Sequence, residues 1–321
     1  MIEMYDALPE NAKEFRQVLA STLDGMFAEN ENLVYLDADL VGAIKTGVLF
    51  EKYPERAINC GIGEANMIGV AAGMAANGLV PFTHTFGCFA TRRVFDQVFL
   101  SVGYANCPVK MIGSDPGICA EMNGGTHMPF EDVAIMRSMP NMVIVEPSDA
   151  TSLEAMLPQL ASNESPCYIR IPRKKKSYIY KNKEDIVVGK ANTLVEGTDV
   201  TLIATGVMVT EALAAAKLLE AEGISTRVVD MHTIKPIDQE AVLEAAQKTG
   251  AIVTCENHNL IGGLFSAVSE VVCQSCPCPV EGVGVQDQFG EVGPYDYLKM
   301  RFGLTPEDIV VKAKFAISKK N

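Results

Sequence analysis

The chain has 321 residues, 48% hydrophobic and 21% charged, with a formal net charge of −13 at pH 7. That length suits two compact domains. The acidic balance argues against a nucleic-acid partner, because phosphate backbones demand basic surface, and no stretch has the length expected of a membrane-spanning helix.

Residues 1–30 are charged and amphipathic rather than signal-like. Nine cysteines, an odd count scattered through the chain, suit buried thiols in a reducing cytoplasm better than a disulfide framework. A helix is expected over 11–28, with Phe15, Val18, Leu19, Leu23 and Phe27 on one face. A strand at 33–36 closes in Asp37-Ala38-Asp39-Leu40. Further strands are expected near 57–60, 80–85, 108–113, 142–145 and 167–171, alternating with helices near 64–77, 88–104, 130–138 and 149–162. This alternation predicts an α/β fold, a parallel sheet with helices on both faces. The basic stretch 173–185 reads as a linker with little to bury, or as solvated surface. A smaller α/β domain follows, with strands at 199–204, 225–229, 251–255 and 280–284 and helices at 208–222, 239–248 and 262–274. Thr305 is expected to cap a last helix at 306–317. The domains are set at 1–188 and 189–321. Cys273, Cys276 and Cys278 form the one cysteine cluster, and without a fourth ligand at a familiar spacing they read as structural thiols; no metal ligand is assigned to this chain.

The most informative segment is Asn59-Cys60-Gly61-Ile62-Gly63-Glu64. A strand ends at the glycines and a helix of small residues begins at Glu64. The carboxylate therefore sits at the carboxyl end of a strand and the amino end of a helix, where ligands bind in α/β sheets. The plainer alternative is an acid in a first helical turn, facing the helix dipole.

Two later blocks bear on that choice, Phe86-Gly87-Cys88-Phe89-Ala90-Thr91-Arg92-Arg93 and the run from Asp115 to His127 that ends Asn123-Gly124-Gly125-Thr126-His127. With the Glu64 segment they resemble, in order and spacing, the pyrimidine-binding half of transketolase, a thiamin diphosphate enzyme. The end of the chain resembles the transketolase C-terminal domain. The resemblance implies that Glu64 bonds the N1′ nitrogen of the cofactor's pyrimidine and is catalytic. It also implies that Phe86 and Phe89 hold the pyrimidine ring, and that Asp39, Leu40 and Ile62 line the cofactor. His127, also catalytic, would approach the donor's hydroxyls. Asn123, Asp115, Arg173 and, more loosely, Arg16 would complete the substrate site. A Gly-Asp-Gly turn of the diphosphate-binding domain does not occur in this sequence. The resemblance thus implies one subunit of a split transketolase. It would be active only with a diphosphate-binding N-terminal subunit that supplies the Mg2+ ligands, in an α2β2 assembly built on a self-dimer.

The sequence departs from the family pattern at several places. Arg92 stands where a tyrosine is common, leaving Phe95 as another possible third wall of the ring pocket. Asn123 stands for an aspartate, Asp115 for a phosphate-contacting histidine, and Ala43 for a phosphate-binding serine. These changes suggest a donor or acceptor other than the ordinary pentose phosphates among sugar phosphate substrates. Three other readings remain: a deoxyxylulose phosphate synthase-like subunit, the β-subunit of a 2-oxo-acid dehydrogenase decarboxylase, and a regulatory or scaffold subunit. The stretch from Glu256 to Gly263 resembles a segment that helps pair subunits.

Overall fold

The computed structural model describes residues 2–320. In chain order the strands are β1 (Leu33–Asp37), β2 (Ala57–Asn59), β3 (Val80–Phe86), β4 (Lys110–Ser114), β5 (Val143–Val145), β6 (Cys167–Ile171), β7 (Asn192–Val195), β8 (Val200–Ala204), β9 (Thr226–Asp230), β10 (Thr233–Lys235), β11 (Ile252–Asn259) and β12 (Val280–Val285). The helices used below are α1 (Phe15–Glu29), α2 (Val41–Ile44), α3 (Gly47–Lys52), α4 (Glu64–Ala76), α5 (Gly87–Ala90), α6 (Phe95–Gln97), α7 (Asp132–Arg137), α8 (Ala150–Ala161), α9 (Met208–Ala221), α10 (Gln239–Thr249), α11 (Leu264–Ser275), α12 (Tyr295–Arg301) and α13 (Pro306–Ser318).

Two sheets form, ordered β10-β5-β6-β4-β3-β1-β2 and β12-β11-β8-β9-β7. In the first, β1 to β6 are all parallel. Their side chains alternate between two cores. Tyr35, Ile112 and Ile169 face the side covered by α1 and α8, while Val34, Leu36, Met111 and Tyr168 face α4 and α7. Burial on both faces is what a parallel sheet requires, and it explains the near-continuous apolar runs of these strands. β10 comes from the second half of the chain yet pairs antiparallel with β5 of the first sheet. Too short and too mixed in composition to show a period, it is not evident from sequence. The same holds for β7, α2, α3 and α12.

Two expectations need correction. The single helix over 88–104 is broken into α5, a 3-10 turn at Arg92–Val94, α6 and a π-helical stretch at Val98–Tyr104. The apolar spacing there is ambiguous because Phe86 and Phe89 pack on each other and on His127 rather than along one helix face. The stretch 173–185 is not merely solvated. Ile179 and Tyr180 are buried, and their amides donate to Asp149 Oδ2 at 2.6 and 2.9 Å. Tyr180 Oη also donates to Asp230 of the second domain at 2.7 Å. At the end of the chain, Thr305 and Asp308 form a reciprocal cap on α13.

The domains are clasped by buried polar groups. Arg170 on β6 is fully buried and donates to Asp132 (2.8 Å), Glu146 (2.6 Å) and the carbonyl of Asn257 (2.9 Å). Burial pushes the Asp132 carboxyl up, but the guanidinium outweighs it and holds the group below its usual range; at Glu146 burial wins. Asn257 Oδ1 accepts from Ile118 N at 2.9 Å, and its Nδ2 donates to the Pro116 carbonyl at 3.0 Å. Gly117, at φ +50°, lies against Asn257 so closely that any Cβ would collide with its side chain. The stretch beginning at Glu256 joins the two domains within the chain. His258 packs against α7, and Glu256 accepts from the amides of Leu264 and Phe265 at the start of α11.

Candidate active site

The carboxyl ends of β1, β2, β3, β4 and β6 lie side by side, and every resemblance-assigned residue of the first domain hangs from that edge or from elements beside it. Connections leave β1 first to β2 on one side and then back across to β3 on the other, which makes this edge a topological switch point. The ends are cross-tied beneath the surface. Asp37 Oδ2 meets His84 Nδ1 at 2.8 Å, and His84 Nε2 meets Ser114 Oγ at 3.0 Å. The order Asp-His-Ser is that of a hydrolytic triad. All three side chains are fully buried, however, so they brace the strand ends rather than meet a substrate. Asp37 also accepts from the amide of Leu40 at the start of α2.

Gly61 takes a positive φ of +67°, which turns the chain out of β2 and lets α4 begin at Glu64. Glu64 is only 6% exposed. Its carboxylate is not in apolar surroundings, because Arg93 Nη1 donates to Glu64 Oε1 at 2.6 Å. The Arg93 guanidinium in turn lies over the Phe89 ring, 3.6 Å from its centroid. Phe86, Phe89 and His127 form a ring cluster, with Phe86–Phe89 at 6.1 Å, Phe86–His127 at 5.8 Å and Phe89–His127 at 5.2 Å between centroids. Such edge and tilted geometries are the favourable ones for aromatic pairs.

The two residues named for the third wall take different places. Phe95 packs on Phe99, away from the ring cluster. Arg92 donates to Glu131 Oε1 (2.7 Å) and to the Thr126 carbonyl (2.6 Å), anchoring the loop that carries His127. It is Arg93 that lies over the Phe89 face. Nothing in its spacing announced this, since it directly follows another arginine in a segment read as helix. The glycine loop is also fitted from outside, because a Cβ on Gly125 would collide with the carbonyl of Gly290.

Other assigned residues lie further out. Asp39, at φ +63°, is exposed and accepts from Asn59 Nδ2 at 3.1 Å. Leu40 begins α2 and is half-buried. Ile62 is 82% exposed and Asn123 is exposed on the loop. Arg173 follows β6, lies 4.8 Å from the Phe86 ring centroid, and pairs with Asp115 through Nε at 2.7 Å and Nη2 at 2.5 Å. Arg16 is paired with Glu14 at 2.6 Å. The nearby thiols are not nucleophiles at neutral pH, since burial pushes Cys88 up to about 12 and raises Cys60 as well. Among the described residues no group of His, Cys, Asp or Glu is placed to hold a metal, and no helix is long and apolar enough to cross a membrane.

A buried carboxylate bonded to a planar cation that is itself stacked on an aromatic face suits a flat, protonatable heterocycle. These residues therefore fit an aminopyrimidine.

Residues 11–177 match the family described as the transketolase pyrimidine binding domain, and residues 189–309 match the transketolase C-terminal domain. The chain is 53% identical over 293 residues to the 6-deoxy-6-sulfo-D-fructose transketolase subunit SqwH of Clostridium sp. strain MSTE9, covering 91% of each chain. It is 34% identical to human transketolase over 95% of its own length but 49% of the human enzyme's. Among solved structures, a split gene transketolase described as an inactive beta4 tetramer superposes with a TM-score of 0.88 at 40% identity, covering 97% of this chain and 100% of that one.

Proposed function

This chain belongs to the transketolase family, and we propose that it is the pyrimidine-side subunit of a split enzyme that moves a two-carbon ketol unit from a ketose to an aldose. The observation that carries this reading is the buried Glu64 carboxylate opposite the Phe86–Phe89–His127 ring cluster, at the switch point of a parallel sheet. Thiamin diphosphate, when bound, supplies the carbon nucleophile that accepts the two-carbon unit. Glu64 holds a proton at the pyrimidine N1′ atom, and Phe89 offers its face to the ring. His127 bonds donor hydroxyls and moves a proton there. To admit the ring, Arg93 would have to release both Glu64 and the Phe89 face.

The diphosphate and its Mg2+ are assigned to a second, diphosphate-binding subunit. Human transketolase extends over about twice the length this chain matches, and the split-gene tetramer is described as inactive; both support the assignment. An α2β2 assembly is the simplest one that joins two such sites. Asp115, Asn123 and Ala43 depart from the pattern for pentose phosphates, and the 53% identical relative is named for a sulfonated ketose. Both favour an anionic ketose outside the ordinary pentose phosphates as donor.

The test is reconstitution. The chain mixed with a diphosphate-binding transketolase subunit is expected to bind thiamin diphosphate and to transfer the ketol unit, while the chain alone does neither. Robust transfer by the lone chain would overturn the split-subunit reading.

A further inference from the structure

We infer that Asp115 and Glu14 are specificity-determining residues, which set an anion subsite of this chain for the single charge of a sulfonate rather than the near-double charge of a phosphate. The inference rests on the transketolase reading and names the tail group of its donor. Arg16 Nη1 lies 3.1 Å and Arg173 Nη1 3.4 Å from the same acceptor, the carbonyl oxygen of Ala43 in the first turn of α2. Two guanidinium groups from remote parts of the chain, α1 and the end of β6, thus converge on one point. Arg173 also touches the Phe86 ring, so this point adjoins the aromatic cluster of the active site.

Each arginine brings its own carboxylate. Asp115 takes Nε and Nη2 of Arg173, and Glu14 takes Nε of Arg16, with Lys45 Nζ 3.5 Å from Glu14. Three cations and two carboxylates leave one net positive charge. Arg173 and Asp115 are 9% and 5% exposed, so solvent screens that pair poorly. A phosphate monoester carries about −1.5 to −2 charges at neutral pH. It would be left with excess negative charge beside Asp115. A sulfonate has the same tetrahedral set of three acceptor oxygens with a single charge, and it balances the subsite. The unused N–H groups of both guanidinium forks remain as donors for it. Alanine at position 43 adds no hydroxyl donor to favour the more highly charged group.

The complex with its diphosphate-binding subunit provides the test, with 6-deoxy-6-sulfofructose and fructose 6-phosphate as alternative donors to one acceptor. The wild type is expected to favour the sulfonate in kcat/KM by at least about tenfold. Asp115→Asn should move that ratio toward the phosphate by about tenfold, mainly through KM. Asparagine tolerates the positive φ of +57° at this position. Glu14→Gln, at a more exposed site less able to disturb folding, should move the ratio the same way. Transfer from both donors with a ratio unmoved in both variants would overturn this inference alone. Transfer from neither donor, with no thiamin diphosphate bound, would remove the transketolase reading and this inference with it.

Discussion

Replacing Arg93 with alanine should tighten binding of thiamin diphosphate to the assembled enzyme. Arg93 Nη1 sits 2.6 Å from Glu64 Oε1, with side-chain exposures of 45% and 7%. Two unit charges about 4 Å apart gain about 4 kcal/mol at an effective dielectric near 20. The half-exposed guanidinium recovers part of that from water, which leaves about 1–2 kcal/mol. Its stacking on Phe89 adds about 0.5–1 kcal/mol. An aminopyrimidine that takes both partners must therefore displace about 2 kcal/mol of interaction, close to a thirtyfold factor in affinity. Isothermal titration of thiamin diphosphate into the wild-type and Arg93→Ala complexes reads this directly, with a Kd lower by about that factor in the variant. An unchanged or weaker Kd would show that Arg93 does not occupy the ring's place, and the assignment of Phe89 and Glu64 to the pyrimidine would lose its electrostatic support.

Two further outcomes test the scaffold. Arg170→Met should lower stability by about 3–5 kcal/mol, because Asp132 and Glu146 are left as buried charges without their cation; thermal unfolding measures it. Asp230 is raised to about 7, chiefly by burial, against hydrogen bonds from Ser148 and Tyr180. Its folded pKa lies above its unfolded one, so its protonation favours folding at low pH. That contribution is lost as pH rises from about 4 through about 7. Asp230→Asn should thus gain thermal stability relative to the wild type at pH 8, by at most about 4 kcal/mol, and little at pH 4. A gap that does not widen with pH would contradict the assignment.

The sheet was legible because its strands are buried on both faces and read as apolar runs, and because glycines mark the turn before Glu64. The aromatic pair Phe86 and Phe89 stood out only through the resemblance to the family, since their spacing alone fits plain core packing equally well. What escaped depends on contacts between distant segments. Arg93 reaches Glu64 only because the expected helix breaks after α5, and such a break carries no periodic signature. The pairing of Asp115 with Arg173 follows from β4 and β6 being neighbours in the sheet, a matter of strand order that local pattern does not encode. The supposed linker is held by Asp149, whose own local signal is simply that of a helix cap. β10 crosses between domains through only three residues, too few to show alternation.

The role assigned to the Glu64 carboxylate is to exchange a proton with the pyrimidine. Single-turnover and steady-state ketol transfer by the reconstituted complex carrying Glu64→Gln, beside wild type, tests it most directly. A loss of about a hundredfold or more in kcat is expected, with circular dichroism and subunit assembly unchanged. Wild-type turnover in that variant would contradict it.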